Sequence, residues 1–515
     1  MIMKRFIYTI LLILPIALNA QNMYNITGLL DNELSGTARF VGMGGSMGAL
    51  GGNISVMGTN PAGIAVYRSS DFYISGAMGV VNNNTTFNNT SLSESEMSLP
   101  LNNLGFVLAC EFDDSPVRFF NFGIDHRRKG NLRSKFAMEG DPAGYSQQYV
   151  INYLYNQNPF DINQITENSY SDLKNSWLPL LAADVDICDA DSNFLVYPAG
   201  HKREGELVYS PNYTGYYSEQ RGGITVTDFN ISANICDQVY IGATVGYHYV
   251  DYSRYSSYYE ADDEGDIYTI KNDYRMTGSG VDLKLGAIFR PFKYSPFKVG
   301  ITAHTPVYYS LMDISSATMY GPYDNMVFST NSSDCYGDDF RIAYSLRTPW
   351  RLGAAVSYTF GQYLALNAEY EYADWATTRF SQRTEVGKAQ NEEISYNLKS
   401  QHTVRFGAEF NINCFALRAG YNYVSAPFYD DAYKYMDNAS LIETSTEYLN
   451  KFDKHVATVG LGWAGKLFYF DLAYMCQMQK SKFFPYYDIE IDAAPMATDV
   501  RTKSHSLVAG VGIRF

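Results

Sequence analysis

No apolar run in this 515-residue chain is long enough to cross a bilayer as a helix. The N-terminal run, Phe6 to Leu18, stops short of the roughly 20 residues required, and nothing beyond Gln21 approaches that length. Positive charge is scarce: Lys and Arg number 39 against 54 Asp and Glu, and the net charge of −15 argues against nucleic acid as a partner. Cysteine is scarce too. Cys110, Cys188, Cys236, Cys335, Cys414 and Cys476 show no C-x-x-C spacing, and the seven histidines are scattered, so no metal site, redox pair or cofactor is expected. Cys188 and Cys335 fall in expected outer loops, and sequence supplies no geometry for a disulfide between them.

The N-terminal run is instead placed for export. Lys4 and Arg5 precede it, and Leu18-Asn19-Ala20 supplies a small residue just before Gln21, the layout of a cleavable signal peptide over residues 1–20. No cysteine follows the run to accept a lipid. The remainder leans towards tyrosine (45), phenylalanine (30) and glycine (41), a bias that transmembrane β-barrels and some soluble secreted proteins share.

Alternation separates the two. Between Tyr363 and Trp375, Leu364, Leu366, Ala368, Tyr370 and Tyr372 fall on one side of a strand, and Ala365, Asn367, Glu369, Glu371 and Ala373 on the other. Val404, Phe406, Ala408 and Phe410 likewise oppose Arg405, Gly407 and Glu409; Leu417, Ala419 and Tyr421 oppose Arg418 and Gly420. An arginine or lysine facing lipid at mid-depth costs about 2 to 4 kcal/mol, so charges held to one parity have a physical cause.

Strands are expected near 71–80, 103–112, 117–127, 222–235, 239–252, 278–289, 297–309, 341–359, 362–376, 401–411, 414–426, 455–464, 467–480 and 504–515. The connections alternate long and short, as in a transmembrane antiparallel β-barrel of about 14 strands with long loops outside and tight turns facing the periplasm. In the last strand Leu507, Ala509, Val511, Ile513 and Phe515 share a face, and a terminal aromatic residue is what the bacterial barrel-assembly machinery typically receives.

Residues 21–70 do not alternate. They are dense in glycine, including Gly42, Gly44, Gly45, Gly48, Gly51, Gly52, Gly58 and Gly63, with small apolar residues between. A compact plug folded inside the lumen is expected, the other reading being a flexible periplasmic tail.

Ala38-Arg39, Gly42-Met43-Gly44-Gly45 and Asn60-Pro61-Ala62-Gly63 resemble the N-terminal pattern of the FadL/TodX family of outer-membrane transporters for hydrophobic compounds. His304-Thr305-Pro306-Val307-Tyr308-Tyr309, Arg347-Thr348-Pro349-Trp350-Arg351-Leu352-Gly353, Val404 to Glu409 and Leu417 to Tyr421 look like family strands, so the resemblance covers nearly the whole mature chain. It departs at Gly52-Asn53, where an acidic residue is often found, and in the size of the outer loop, residues 128–221. The resemblance implies a signal peptide (1–20), a hatch (21–70) and a barrel (71–515) in the Gram-negative outer membrane. Outer loops would capture hydrophobic cargo such as long-chain fatty acids, a lumen pocket would hold it, and hatch movement would release it to the periplasm or sideways into the membrane.

On this reading Gly42, Gly44, Gly45, Asn60, Pro61, Ala62 and Gly63 belong to the hatch, with Asn60-Pro61 its rigid turn or simply an ordinary one. In the outer loop Tyr149, Val150, Tyr153 and Leu154 share a plausible helical face, and Trp177, Leu178, Leu180 and Leu181 lie in an unusually apolar stretch. These residues form either a capture groove or a satellite core. Glu369, Glu371, Arg405, Glu409 and Arg418 face the lumen and are expected to pair across strands, though one arginine could hold a cargo carboxylate.

Other motifs carry less. Gly44-Gly45-Ser46-Met47-Gly48 fits G-x-S-x-G, but no strand precedes it, and its glycines lack dinucleotide-binding spacing. Asp262-Asp263-Glu264-Gly265-Asp266 lacks EF-hand spacing; it is a solvated run or a divalent bridge to lipopolysaccharide. Three functions remain: a passive transporter, with hydrophobic small molecules and outer-membrane lipids as partners; a non-transporting scaffold or shuttle in protein secretion; and an enzyme. The last lacks a clustered acid, base or nucleophile.

Overall fold

Strict alternation with charges on one parity becomes a closed wall of strands. The structure, a computed structural model, describes residues 22–30, 33–161, 164–165, 169–170, 175–185, 187, 211–263, 265–292, 294–321, 328–332, 338–380, 385–436, 442–487 and 495–515. The expected signal peptide, Cys188 and Cys335 lie outside them.

Among the described residues twenty strands follow in chain order: β1 (Asp71–Phe87), β2 (Thr90–Ser98), β3 (Leu101–Glu111), β4 (Val117–Asn131), β5 (Ser134–Gly140), β6 (Tyr213–Ile235), β7 (Val239–Asp262), β8 (Gly265–Phe289), β9 (Lys298–His304) and β10 (Tyr308–Gly321). Then come β11 (Phe328–Asn331), β12 (Phe340–Arg347), β13 (Arg351–Phe360), β14 (Leu364–Asp374), β15 (Arg379–Phe380), β16 (Ser400–Ile412), β17 (Phe415–Val424), β18 (Tyr448–Ala464), β19 (Phe468–Phe484) and β20 (Thr498–Arg514). β2 with β3, β4 with β5, β9 with β10, and β12 with β13 each make one interrupted stave, and β11 and β15 are short additions. The result is a 14-stave antiparallel barrel, closed by β1 on β20 from Asp71↔Arg514 to Thr86↔Asp499. Closure gives every stave two ladder neighbours, the condition for strands to span a bilayer.

Leu366 and Tyr370 are exposed on β14 while Ala365, Asn367 and Glu369 are buried; Phe406 and Phe410 are exposed on β16 while Arg405 and Glu409 are buried. The same outward apolar row continues through Leu104, Phe122, Ile231, Ile241, Val245, Leu285, Ile301, Val356, Leu417, Val459, Leu461 and Leu472. A continuous exposed belt of this kind has no place in water, and it makes the wall a membrane-spanning surface.

The strand boundaries differ from expectation in two informative ways. The expected long loop after residue 80 is a ladder: β1 runs on to Phe87, Asn88 and Asn89 turn with φ of 38° and 69°, and β2 returns. Asparagine tolerates that left-handed pair, which suits a two-residue hairpin. The expected strands 297–309 and 341–359 are each broken, at Pro306 and Pro349. Proline has no N–H to give the ladder, and the two breaks face each other. Thr348 bridges them, its Oγ1 accepting from Val307 N at 2.9 Å and its N donating to Val307 O at 3.2 Å.

Candidate functional site

Residues 38–66 sit in the lumen as three short turns, each started by a polar side chain that caps its own backbone. Thr37 Oγ1 accepts from Phe40 N (3.1 Å), Asn53 Oδ1 from Ser55 N (3.0 Å) and Asn60 Oδ1 from Ala62 N (3.2 Å). Asn60 Nδ2 also donates to Gly48 O at 2.6 Å, tying one turn to the next. Phe40, Met43, Met47, Ile54, Val56, Met57 and Ile64 form the apolar centre of this unit.

Its main chain lies against glycines of the wall. A Cβ on Gly407 would come 2.5 Å from Met43 O, on Gly300 2.7 Å from Gly48 O, and on Gly242 2.5 Å from Pro61 O; on Gly420 it would collide with Met43 and Gly44. Gly460 stands 3.2 Å from Gly42 by the same measure. Gly407 and Gly420 are ladder partners, as are Gly242 and Gly286. These wall glycines make an inward collar where backbone meets backbone, which any side chain would prevent.

Charge fixes the same contact. Arg39 forks onto Glu409 with two bonds of 2.8 Å and donates to Gly52 O at 2.9 Å. Glu409 continues to Arg418 (2.6 Å) and Arg418 to Asp471 (2.6 Å). Glu369 accepts from Gly48 N at 3.0 Å and from Arg405 at 2.9 Å, and Arg405 also reaches Glu371 at 3.2 Å. All five lumen residues singled out from sequence thus lie in networks that touch or border the N-terminal unit. On the opposite wall Arg127 pairs with Asp228 (2.9 Å), and Lys284 bridges Asp228 and Asp282 (2.8 Å each), with His248 3.2 Å from Asp282.

Outward of these networks is a small chamber of about 60 Å³, lined by Arg127, Lys129, His248, Lys284, Arg351, Arg405 and Lys454, with Glu33 the one acid. Lys129 differs from the rest. The ladder between β4 and β6 skips it, since Arg128 opposes Thr225 and Gly130 opposes Ile224, so it is the extra residue of a bulge. Among the described residues it makes no hydrogen bond or ion pair.

Above the chamber a cavity of about 220 Å³ is lined by Tyr24, Leu29, Val81, Leu132, Phe136, Val250, Tyr252, Met276, Leu449 and Phe483, together with Arg254, Glu447 and a polar band that includes Asn83, Asn131, Gln220, Gln477, Gln479 and Ser481. Residues 23–30 reach into it, with Tyr24 stacked on Phe428 at 5.6 Å. Over it lies an apolar cap built on the helices Gln148–Gln157 and Trp177–Asp184, where Trp177 packs edge-on against Phe340 and Tyr170. Leu154, Trp177, Leu178, Leu180 and Leu181 are buried in it; Tyr149 and Tyr153 are half-buried. The helix turns Val150, Ile151, Leu154 and Tyr155 inward, one position on from the face expected. Phe136 and Phe483 belong both to this cap and to the cavity wall.

The wall has a crevice beside this path. β3 pairs with β4 up to Asn103↔Arg127, but beyond it β2 and β5 share no ladder. β5 instead takes side-chain bonds from β1, Asn83 to Lys135 O (2.6 Å) and Thr85 to Ala137 O (2.7 Å). The crevice is lined by Leu34, Ser35, Ser98, Pro100, Asn102 and Asn131. It is bridged by Asn131 Nδ2 to Ser98 Oγ (3.1 Å) and occupied by Ser35 and Gly36, which bond Arg128 and Asn102. Met97, Leu99 and Leu101 are exposed outside it.

Sequence reasoning missed Arg39 as a wall contact, the Arg127–Asp228–Lys284 network and Lys129. Their parity was available on β4 and β8, but Arg127-Arg128-Lys129 looks like the start of a loop. Ser46 Oγ contacts Asn367 and the Arg405 carbonyl and has no histidine partner among the described residues. The described residues hold no group of three or more His, Cys, Asp or Glu placed to bind a metal.

No protein-family model matches the chain, and no curated protein does. Solved structures do. A FadL homologue from Pseudomonas aeruginosa covers 94% of this chain and 99% of its own at 11% identity, with a TM-score of 0.53. A mutant of the TodX monoaromatic hydrocarbon channel covers 93% and 99% at 11% identity, with a TM-score of 0.52. At that identity the likeness is one of fold, and the chain shares the FadL/TodX barrel fold.

Proposed function

We propose that this chain is an outer-membrane transporter of the FadL/TodX kind, a passive channel for hydrophobic compounds that carry an acidic head group, long-chain fatty acids among them. The observation that carries the reading is Lys129, an ammonium with no partner among the described residues, in a cation-lined chamber directly below a larger cavity with both apolar and polar walls. A hydrocarbon tail gains by leaving water for Leu29, Val250 and Met276, while a carboxylate pairs with an ammonium that no described residue pairs with.

The apolar cap with Trp177, Leu178, Leu180 and Leu181 would receive cargo, and the N-terminal unit would be the hatch, with Gly42, Gly44, Gly45 and the Asn60-Pro61-Ala62-Gly63 turn at its contacts with the wall. Movement of Ser35 and Gly36 would open the crevice between β2 and β5, so cargo would leave sideways into lipid. The terminal strand ending in Phe515 fits insertion by the barrel-assembly machinery. The FadL homologue and the hydrocarbon channel that share the fold support a hydrophobic cargo.

The test is oleate binding to the detergent-solubilised chain, with mass spectrometry of lipids carried through purification. Lys129→Ala is expected to weaken oleate binding about tenfold, the scale of one charge-assisted bond, and to leave binding of a neutral hydrocarbon of equal length unchanged. Equal oleate affinity in the two proteins, with no acidic amphiphile copurifying, would remove the proposal.

A further inference from the structure

Three tyrosine–histidine pairs mark one level on the outside of the barrel. Tyr370 OH meets His402 Nδ1 at 2.7 Å, Tyr421 OH meets His455 Nδ1 at 2.8 Å, and Tyr474 OH meets His505 Nδ1 at 2.7 Å. All three lie on the lipid-facing side, at the strand ends remote from the tight turns. Rings with an apolar body and a polar tip collect where hydrocarbon gives way to head groups.

On β19 and β20 the side chains just beyond that level are cationic. Past Tyr474 the outward positions of β19 are Cys476, Met478, Lys480 and Lys482; past His505 those of β20 are Lys503, Arg501 and Asp499. The ladder sets Met478 beside Lys503, Lys480 beside Arg501 and Lys482 beside Asp499, so the first cations follow directly on the last apolar residue. Lys480, Lys482, Arg501 and Lys503 are all exposed, and among the described residues none makes an ion pair or side-chain hydrogen bond. On the other side of β20, Asn82 and Asn84 of β1 oppose Lys503 and Arg501 and add no acid. Among the described residues these four cations face Asp499 and, across the bulge of β18, Asp453, whose oxygens already accept from Tyr423 OH and Ala426 N; that excess of positive charge stands out in a chain of net charge −15. Lysine and arginine held beside one another without acids repel, and an anion at that depth removes the cost.

We propose that the outward face of β19 and β20 docks the phosphate groups of the outer leaflet's glycolipid. Lys480, Lys482, Arg501 and Lys503 contact phosphate, and the Tyr474–His505 pair sits below them against the acyl chains. The assignment rests on the orientation proposed above, with the long loops outside the cell. It does not require any cargo.

The experiment is native mass spectrometry of the full chain in detergent with purified bisphosphorylated lipid A, its dephosphorylated form and phosphatidylglycerol as probes. The variant is Lys480→Gln, Lys482→Gln, Arg501→Gln and Lys503→Gln together. Lipid A retention is expected to fall at least about tenfold in the variant and on dephosphorylation, given the contribution of each cation near an anionic leaflet. The matched loss of Arg118 and Lys466 at the opposite rim should change nothing. If the fourfold variant does not fold, judged by heat-modifiable migration, the two halves are read separately, each expected to lose about threefold. Undiminished retention by the variants, retention independent of phosphate, or equal affinity for phosphatidylglycerol would overturn the proposal. Oleate binding measured on the same samples keeps failure here distinct from failure of the transport reading.

Discussion

Arg39 and Lys129 show what one side chain does in this barrel. Arg39 spans the boundary between the N-terminal unit and the wall, and its fork on Glu409 requires a planar guanidinium. Arg39→Met is expected to cost about 2 kcal/mol, below the range for a fully buried pair because the arginine is partly exposed and Arg418 still serves Glu409. Single-channel recording in planar bilayers should then show open events absent from the parent, and Arg39→Lys should restore closure only in part. Unchanged current in both variants would mean that the fork does not hold the unit in place. Glu369, Glu371, Arg405, Glu409 and Arg418 were legible in the sequence because β14, β16 and β17 keep strict period two. Lys129 was not, because the bulge that frees it comes from pairing with β6, whose sequence lies far away.

Elements were legible where alternation was uninterrupted, as on β14, β16 and β17, and less so where other forces took over. Pro306 and Pro349 looked compatible with single strands because the apolar rhythm continues on both sides; only the missing N–H breaks the ladder. The outer helix Gln148–Gln157 lies one position off its expected face because the phase is set by what it meets. Glu260 fixes its start, accepting from Ser146 Oγ and Gln147 N at 2.6 Å each. Trp177 to Ala183 are all buried, so in the structure described Trp177 packs within the cap. Trp177→Ala should therefore loosen the cap by about 3 to 5 kcal/mol, the usual cost of a lost core aromatic. Limited proteolysis should cut the outer loop faster while heat-modifiable migration of the barrel stays as it was. A barrel that melts with the cap would contradict that separation.

For the whole molecule, the alternation of long and short connections carried the stave count and the sidedness, since an even closed barrel must return its ends to one rim. What no local pattern carried was the crevice between β2 and β5, or the collar of glycines, because each depends on strands brought together only by closure. Gly420→Ala is expected to displace the N-terminal unit, exposing residues 38–66 to protease, whereas Gly76→Ala, with nothing nearer than 4.0 Å, should be silent. Equal protection in both would mean that the contact yields. The collar also restricts how this lineage can change. Contacts between main chains carry no side-chain identity to trade, so a one-residue insertion in any of the N-terminal turns shifts the remaining turns out of step with several staves at once. Length in that segment should drift far less than letters do, and far less than in the loops above it.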